Sequence, residues 1–551
     1  MNPIDKLKAH YDTLDSFEHL RAMSGWDQAT MMPVGGAEAR SDAMSALALH
    51  IHKLLSEPRI LDWIDEARNK PLSNEDDAFL REAFNSYMHA NRLPESLIEA
   101  KSKAGAKCEL AWRVQRKEND WAGFLKNFET VVALSKEEAE IRKDGHATAY
   151  DAMMDLYEPG MTSSMVESVF NDVEQWLPSL IAEVIEKQKT TPDQSEVERV
   201  VHYPRAAQKQ LSESLMHLFG FDFERGRLDV SMHPFCGGVS DDTRITTRYD
   251  DTSFIQAMMG VIHETGHARY EQSLPAHLKK YPVGKARSMG IHESQSLFFE
   301  MQIARDERFI PHLFNYANQH LASAIPTELG LMQFQRQIQR VEKGYIRVDA
   351  DEVTYPAHVI LRYQIEKALI NGEINASDIP ELWDQKMQHY LGLSTKGNYR
   401  NGCMQDIHWT DGSFGYFPSY TLGAMYAAQF RAAMSQEVDV AGCFEQADLK
   451  PIQQWLNTKI WSKGSVLTTN ELVKQATGEA LNAAHFRASP RNTLSLAKGK
   501  TMPILGHGLF LHPAFQFFGS YLKSVMFRVV ILIYMPSLAN STDFIGYLVG
   551  L

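Results

Sequence analysis

The feature that most restricts the fold of this chain is a pentapeptide, His263-Glu264-Thr265-Gly266-His267, inside an amphipathic stretch. Residues 254–274 read FIQAMMGVIHETGHARYEQSL; Phe254, Ile255, Met258, Met259 and Ile262 recur at helical spacing and Pro275 closes the segment. On a helix, residues four apart share a face, so His263 and His267 aim two imidazoles at one point. Two neutral imidazoles suit a zinc ion, which binds nitrogen at about 2.0–2.1 Å. Glu264 lies one step round the helix and can reach the fourth coordination position, where it would accept a proton from water. Gly266 costs about 1 kcal/mol inside a helix relative to alanine. Its presence at this turn predicts that another stretch of backbone approaches closely there. With 21 histidines in the chain, the pattern H-E-x-x-H arises by chance in about one such sequence in twenty, and the helical context lowers that further.

A catalytic zinc usually keeps three protein ligands and one open position. Position 273 is serine, so no histidine sits at the metzincin spacing. Further on, Ser288-Met-Gly-Ile-His292-Glu293-Ser294-Gln295-Ser296 opens a second amphipathic segment with Leu297, Phe298 and Met301. Glu293 is the expected third ligand, in the manner of the glutamate-type zinc peptidases, with His292 as its rival.

The surrounding sequence predicts a mostly α-helical protein. Segments 37–55, 96–117 and 129–144 carry apolar residues at three- and four-residue spacing, punctuated by Pro71, Pro94, Pro178 and Pro204. Residues 229–250, DVSMHPFCGGVSDDTRITTRYD, break that rhythm with a Gly-Gly pair and an alternating RITTRY, and predict a short hairpin or small sheet beside the H-E-x-x-H helix. A sheet edge there can hold an extended peptide through its backbone groups.

Composition excludes several classes. The 551 residues carry a net charge of −13, which argues against nucleic acid as the main partner. Cys108, Cys236, Cys403 and Cys443 lie far apart without a C-x-x-C, which fits a reducing cytoplasm rather than a disulfide scaffold. The N-terminus has no apolar core of a secretory signal, and no stretch reaches 18 uninterrupted apolar residues.

Several motifs occur together in a familiar order: His233-Pro234-Phe235; Asp242-Thr-Arg244-Ile-Thr246; the H-E-x-x-H; His292-Glu293-Ser294-Gln295; Ile346-Arg347-Val-Asp-Ala350-Asp351; and Gly402-Cys-Met-Gln405-Asp406-Ile-His408-Trp409. Near the N-terminus, Trp26-Asp-Gln-Ala-Thr-Met-Met-Pro33 precedes Gly-Gly-Ala-Glu-Ala-Arg40. The set resembles the thermostable carboxypeptidase 1 (Taq-type) family of zinc metallocarboxypeptidases, from about residue 4 to 487. The resemblance implies a large helical zinc-peptidase fold with a deep groove, a cytoplasmic homodimer with one zinc per chain, replaceable by cobalt, and removal of single residues from free peptide C-termini. It implies broad specificity with resistance to proline.

An exopeptidase must recognise a free carboxylate, and an arginine fork does so best. Arg347, in the I-R-x-x-A-D motif, is the leading candidate; the alternative is that it pairs with Asp349 or Asp351 to hold a loop. Arg244 is the second candidate, although its favoured role is structural, tying the hairpin down with Asp242. His408, Tyr416 and Tyr420 follow Gln405 in or near a glycine- and aromatic-rich loop, and Tyr420 is the favoured donor to a developing oxyanion. His233 shapes the site or is a satisfied loop histidine. The substrate-binding candidates are therefore Arg347, His233, Gln405, His408 and Tyr420, with Glu264 as the catalytic residue. Asp242 and Glu300 are candidates to orient the imidazoles. The competing readings are an endo-acting oligopeptidase, a helical protein with a four-ligand structural zinc, and a membrane-attached protein.

That last reading rests on residues 488–551. Five basic residues and one acid lie there, so residues 1–487 carry a net −17. The resemblance stops after Arg487 at Ala488-Ser-Pro490. The remainder contains a 14-residue uncharged run, Val529 to Thr542, that is short for a spanning helix of about 20 residues. The tail reads as out-of-frame or read-through sequence, with a genuine extension or an interfacial anchor as alternatives. Residues 1–487 are expected to form the catalytic domain.

Overall fold

A computed structural model of the chain describes residues 2–189, 202–231, 233–322 and 330–488. Apart from Ala488, the tail expected to be atypical lies outside the described residues.

Helices dominate, and their ends follow local chemistry. The expected helix at 37–55 is observed as Ala37–Leu55, burying Met44, Ala48 and Ile51 at four- and three-residue spacing. Segment 96–117 falls within Glu95–Glu118, which Pro94 precedes. Segment 129–144 belongs to a longer helix, Trp121–Arg142, because the Asp120 side chain accepts from the Gly123 amide and starts the helix a full two turns earlier. Pro178 was expected to interrupt a helix; it lies inside Ser163–Lys189. The stripe Phe170, Val173, Leu177, Ile181 and Val184 is buried on both sides of it, and this burial outweighs the roughly 3 kcal/mol that an interior proline costs.

One large apolar core runs from Cys108 to Phe486. A second, smaller core forms between the N-terminal helices, where Leu7, Tyr11, Leu14, Ile51, Ile64 and Phe79 close against Leu278 and Val283. The N-terminal helices thus cover the segment that follows the H-E-x-x-H helix.

The expected sheet has three strands: β1 (Gly226–Val230), β2 (Phe235–Val239) and β3 (Asp242–Thr247). β3 is central. It pairs antiparallel with β2 (Cys236 opposite Ile245) and parallel with β1 (Leu228 opposite Ile245). The hairpin was visible in the sequence; the parallel strand was not, because its connection is β2 itself rather than the usual helical crossover. Leu228, Cys236 and Ile245 pack on Val261 and Ala268 of the Ile255–Gln272 helix, so the sheet lies directly against the H-E-x-x-H segment. Arg244 is fully buried and its Nε donates to Asp242 Oδ1 at 2.5 Å, so this pair ties down the hairpin as expected.

Gly266 behaves as its helical cost implied. A Cβ there would sit 2.4 Å from the Gln295 carbonyl oxygen and 2.6 Å from Ser296 Cα. Both obstacles are backbone of the helix Met289–Leu297, so they cannot rotate aside. Gly266→Ala is expected to destabilise the protein by about 1–3 kcal/mol, although alanine is the better helix former; denaturant unfolding of the two proteins checks the sign.

Candidate active site

The Ile255–Gln272 helix supplies His263, Glu264 and His267, and the Met289–Leu297 helix supplies Glu293. One ligand atom from each of His263, His267 and Glu293 lies within 4.8 Å of the others. Among the described residues this is the one group of three or more His, Cys, Asp or Glu side chains close enough to hold a metal ion. His267 Nε2 is 3.4 Å from Glu293 Oε2. Glu293 is pressed into place from behind: a Cβ on Gly423, in the helix Pro418–Met434, would lie 2.7 Å from Glu293 Cγ.

The helix bearing Glu293 passes directly into a π-helical turn, Phe298–Ala304, a distortion common near functional sites. Glu300 lies in that turn, with Oε2 2.9 Å from His263 Nδ1. An ionised carboxylate only accepts, so Nδ1 donates to it and Nε2 is the nitrogen left to face His267 and Glu293. Arg305 donates to Glu300 at 3.1 Å. Burial works against the Glu300 charge, but the hydrogen bond to His263 and the charge of Arg305 overcome it and hold the carboxyl at about 2. Asp242, the other candidate for orienting an imidazole, is spent on Arg244.

Glu264 is almost wholly buried. Burial, reinforced by the Glu293 charge and opposed by His263 and the Cys236 backbone N–H, pushes its carboxyl up to about 7. The Cys236 contact comes from β2, so the sheet orients the glutamate. A carboxylate in this condition is suited to exchange protons near neutral pH. The set fits a catalytic metal: two imidazoles and one carboxylate give the N/N/O donors of an open site, with an acid-base group on the next residue.

His292, the rival to Glu293, turns away. Its Nε2 lies 3.0 Å from Glu271 Oε1 and its ring stacks on His267.

The remaining candidates gather round Asp406. Arg347 Nε and Nη2 donate to the two Asp406 oxygens at 3.2 and 2.9 Å, and Nη1 donates to Tyr355 Oη at 3.3 Å. Its guanidinium faces the Tyr420 ring at 4.7 Å and the Phe417 ring at 5.1 Å. The anticipated loop partners, Asp349 and Asp351, are not its anchors: Asp351 accepts instead from the backbone of Glu342, Val353 and Thr354. Arg362 also reaches Asp406, at 3.2 Å, while its Nε donates to Glu366 at 2.9 Å. Burial disfavours the Asp406 charge, yet the two guanidinium groups hold the carboxyl far below the usual range.

Tyr420 and Tyr416 contact one another at 5.1 Å between ring centres. The Glu293 charge raises both phenols, and Tyr420 also faces the Arg347 guanidinium. Burial pushes the Tyr420 phenol up to about 12, opposed by Arg347, so it remains a donor. His408 stacks on Tyr416 at 5.8 Å, and burial drives its imidazole down to about 3, so the ring is neutral. Gln405 is committed to backbone: its oxygen accepts from the Arg347 amide at 2.7 Å and its nitrogen donates to Tyr345, Asn401 and Gly402 carbonyls. It fixes the Arg347 loop. His233 is exposed, just before β2, and its carbonyl accepts from Ser231 Oγ at 2.5 Å.

The family model for carboxypeptidase Taq (M32) metallopeptidases matches residues 6–493. The chain belongs to the M32 metallocarboxypeptidase family. It is 38% identical over 483 residues to thermostable carboxypeptidase 1 of Thermus thermophilus, covering 85% of this chain and 94% of that one. It is 35% identical to carboxypeptidase 1 of Bacillus subtilis, covering 87% and 96%. The fold superposes on Trypanosoma cruzi metallocarboxypeptidase 1 with a TM-score of 0.86 at 42% identity, covering 89% of this chain and 99% of that one. The M32 carboxypeptidase of Deinococcus radiodurans R1 gives 0.85 at 29% identity, covering 90% and 100%. This M32 chain is therefore a metal-dependent peptide hydrolase. No helix among its described residues is long and apolar enough to cross a membrane.

Sequence reasoning missed Asp406 as the partner of Arg347, Arg362 as its second cation, Glu271 as the partner of His292, and Glu158. The Glu158 carboxylate is buried, accepts from the Gly290 amide at the start of the Glu293 helix, and accepts from Ser419 Oγ at 2.8 Å. A signal for Asp406 existed: a buried arginine requires a nearby anion, and Asp406 stands inside a motif already singled out.

Asp406→Asn is expected to cost about 3–5 kcal/mol at pH 7, because it leaves the buried Arg347 guanidinium without its anion. A depressed carboxyl contributes stability that is present above its unfolded value, about 3.9, and is lost as the pH falls. The gap between wild type and Asp406→Asn should therefore narrow from pH 7 to pH 3 in denaturation measurements; a constant gap contradicts the assignment.

Proposed function

We propose that the protein is a zinc-dependent carboxypeptidase that hydrolyses the last peptide bond of peptides with a free C-terminus, releasing single amino acids of broad kind but not proline. The observation that carries this reading is the convergence of His263, His267 and Glu293 within 4.8 Å, beside Glu264, the residue after His263, whose buried carboxyl is poised at about 7. His263, His267 and Glu293 hold the metal, one ion per chain, with cobalt able to replace zinc. When bound there, zinc supplies Lewis acidity toward the scissile carbonyl and toward water.

The other steps belong to side chains. Glu264 takes the proton of the attacking water and passes it to the leaving amine. Arg347 binds the terminal carboxylate. Three of its contacts serve Asp406 and Tyr355, and of the five N–H groups a guanidinium carries the others meet the substrate. Asp406 holds the fork rigid, so little entropy is lost on binding. Tyr420 donates to the oxyanion. His408 supports Tyr416 and Tyr420, Gln405 fixes the loop, and His233 borders the site next to edge strand β2. The working protein is a cytoplasmic homodimer whose catalytic domain is residues 1–487, with 488–551 as an appended tail.

Glu264→Gln should keep the metal content of the wild type and lower kcat by about 10²–10⁴-fold; near wild-type turnover would remove Glu264 from the mechanism. The exopeptidase reading is tested with peptides of one sequence carrying a free or an amidated C-terminus. Free peptides should release single amino acids in a chelator-sensitive reaction, while amidated peptides remain intact, and a chain cut after Arg487 should behave alike. Cleavage of amidated peptides at internal bonds would favour an endo-acting oligopeptidase.

A further inference from the structure

The two metal-site imidazoles are supported differently. His263 is fixed through Nδ1 by Glu300 at 2.9 Å. His267 Nδ1 is buried and has no hydrogen-bond partner among the described residues. An imidazole ligand ordinarily donates its second N–H to a carboxylate, a carbonyl or water, which sets its orientation. His267 has instead a neighbouring ring. The His292 imidazole lies 4.6 Å from it between centroids, with an interplanar angle of 22°. On its other flank His292 meets Tyr270 at 5.6 Å and 37°.

His292 is itself held. It is 5% exposed, and its Nε2 lies 3.0 Å from Glu271 Oε1. Glu271 stands one turn beyond His267 on the same helix, so the helix that presents His267 also anchors the ring that covers it. The backbone approach at Gly266 brings the Met289–Leu297 helix close enough to insert His292 beside His267.

We propose that the His292–Glu271 pair is a positioning device that locks the His267 ring by stacking, replacing the kind of hydrogen bond that His263 donates to Glu300. His292 coordinates nothing; it restricts rotation of His267 about its side-chain bonds. A flat ring at position 292 is then the requirement, and its nitrogen atoms matter only for attachment to Glu271. This inference rests on the proposed metal ligands, and its test separates the two.

The experiment measures zinc affinity by chelator competition on the full-length apoprotein of the wild type and of His267→Ala, His292→Ala, His292→Phe and Glu271→Ala, with melting of each apoprotein as a check of folding. Cobalt-loaded samples provide a visible absorption spectrum that reports the ligand field. His267→Ala should lose high-affinity binding; if it binds as the wild type does, the ligand assignment itself fails. His292→Ala should bind about 100-fold more weakly with an altered cobalt spectrum, while His292→Phe, which keeps the stacked ring but loses its anchor on Glu271, should bind about tenfold more weakly, as Glu271→Ala does. Wild-type affinity in His292→Ala, together with lost binding in His267→Ala, would overturn the stacking role alone. Equal weakness of His292→Phe and His292→Ala would also overturn it, by showing that a nitrogen of His292 is what matters. If His292→Ala does not fold, Glu271→Ala, at a partly exposed position, carries the test: about tenfold weaker binding supports the device and unchanged binding overturns it.

Discussion

The site depends on one close approach, the contact of the Ile255–Gln272 and Met289–Leu297 helices at Gly266. Only a residue without a Cβ lets the backbone at Gln295 and Ser296 come so near. That contact sets how far Glu293 reaches toward His263 and His267, and it admits His292 to the flank of His267. Gly423 makes a second close approach, of backbone against the Glu293 Cβ and Cγ. The two helices are therefore fixed by backbone-to-backbone packing at Gly266, and the Glu293 side chain is wedged from behind by Gly423.

Burial then shapes the chemistry. The same desolvation raises Glu264, lowers His408 and penalises Asp406, and the outcome differs because the partners differ. Glu264 has mixed neighbours and is left near neutrality. Asp406 has two guanidinium groups and stays ionised. Its charge keeps Arg347 in one orientation, against the aromatic wall of Tyr355, Phe417 and Tyr420. The helix that packs on Glu293 through Gly423 carries Tyr420 one turn earlier, and this joins the His263–His267–Glu293 cluster to the Arg347–Asp406 cluster on one rigid element.

Much of this was legible in the sequence. Helical periodicity located Ala37–Leu55 to the residue, the hairpin stood out by its alternation, and the spacing of His263 and His267 determined their common face. Such features are local, and a chain reveals them without a fold. The parallel pairing of β1, the helix running through Pro178 and the π-helical turn that brings Glu300 to His263 each arise from tertiary packing that overrides local preference. The Arg347–Asp406 pair spans 59 residues, so no periodic signal connects its members. The nearer acids, Asp349 and Asp351, looked adequate on spacing alone, but the backbone turn after Arg347 claims Asp351. His292 was a plausible ligand by type and position, and only the geometry shows its nitrogen given to Glu271.

Every role proposed for these side chains depends on which residues hold the metal, and anomalous diffraction from crystals of the zinc-loaded protein addresses this most directly. Data collected on both sides of the zinc absorption edge should show one strong peak per chain, about 2 Å from His263 Nε2, His267 Nε2 and a Glu293 carboxylate oxygen, with His292 still on Glu271. A peak bound by His292 in place of Glu293, or one located away from these residues, would contradict it.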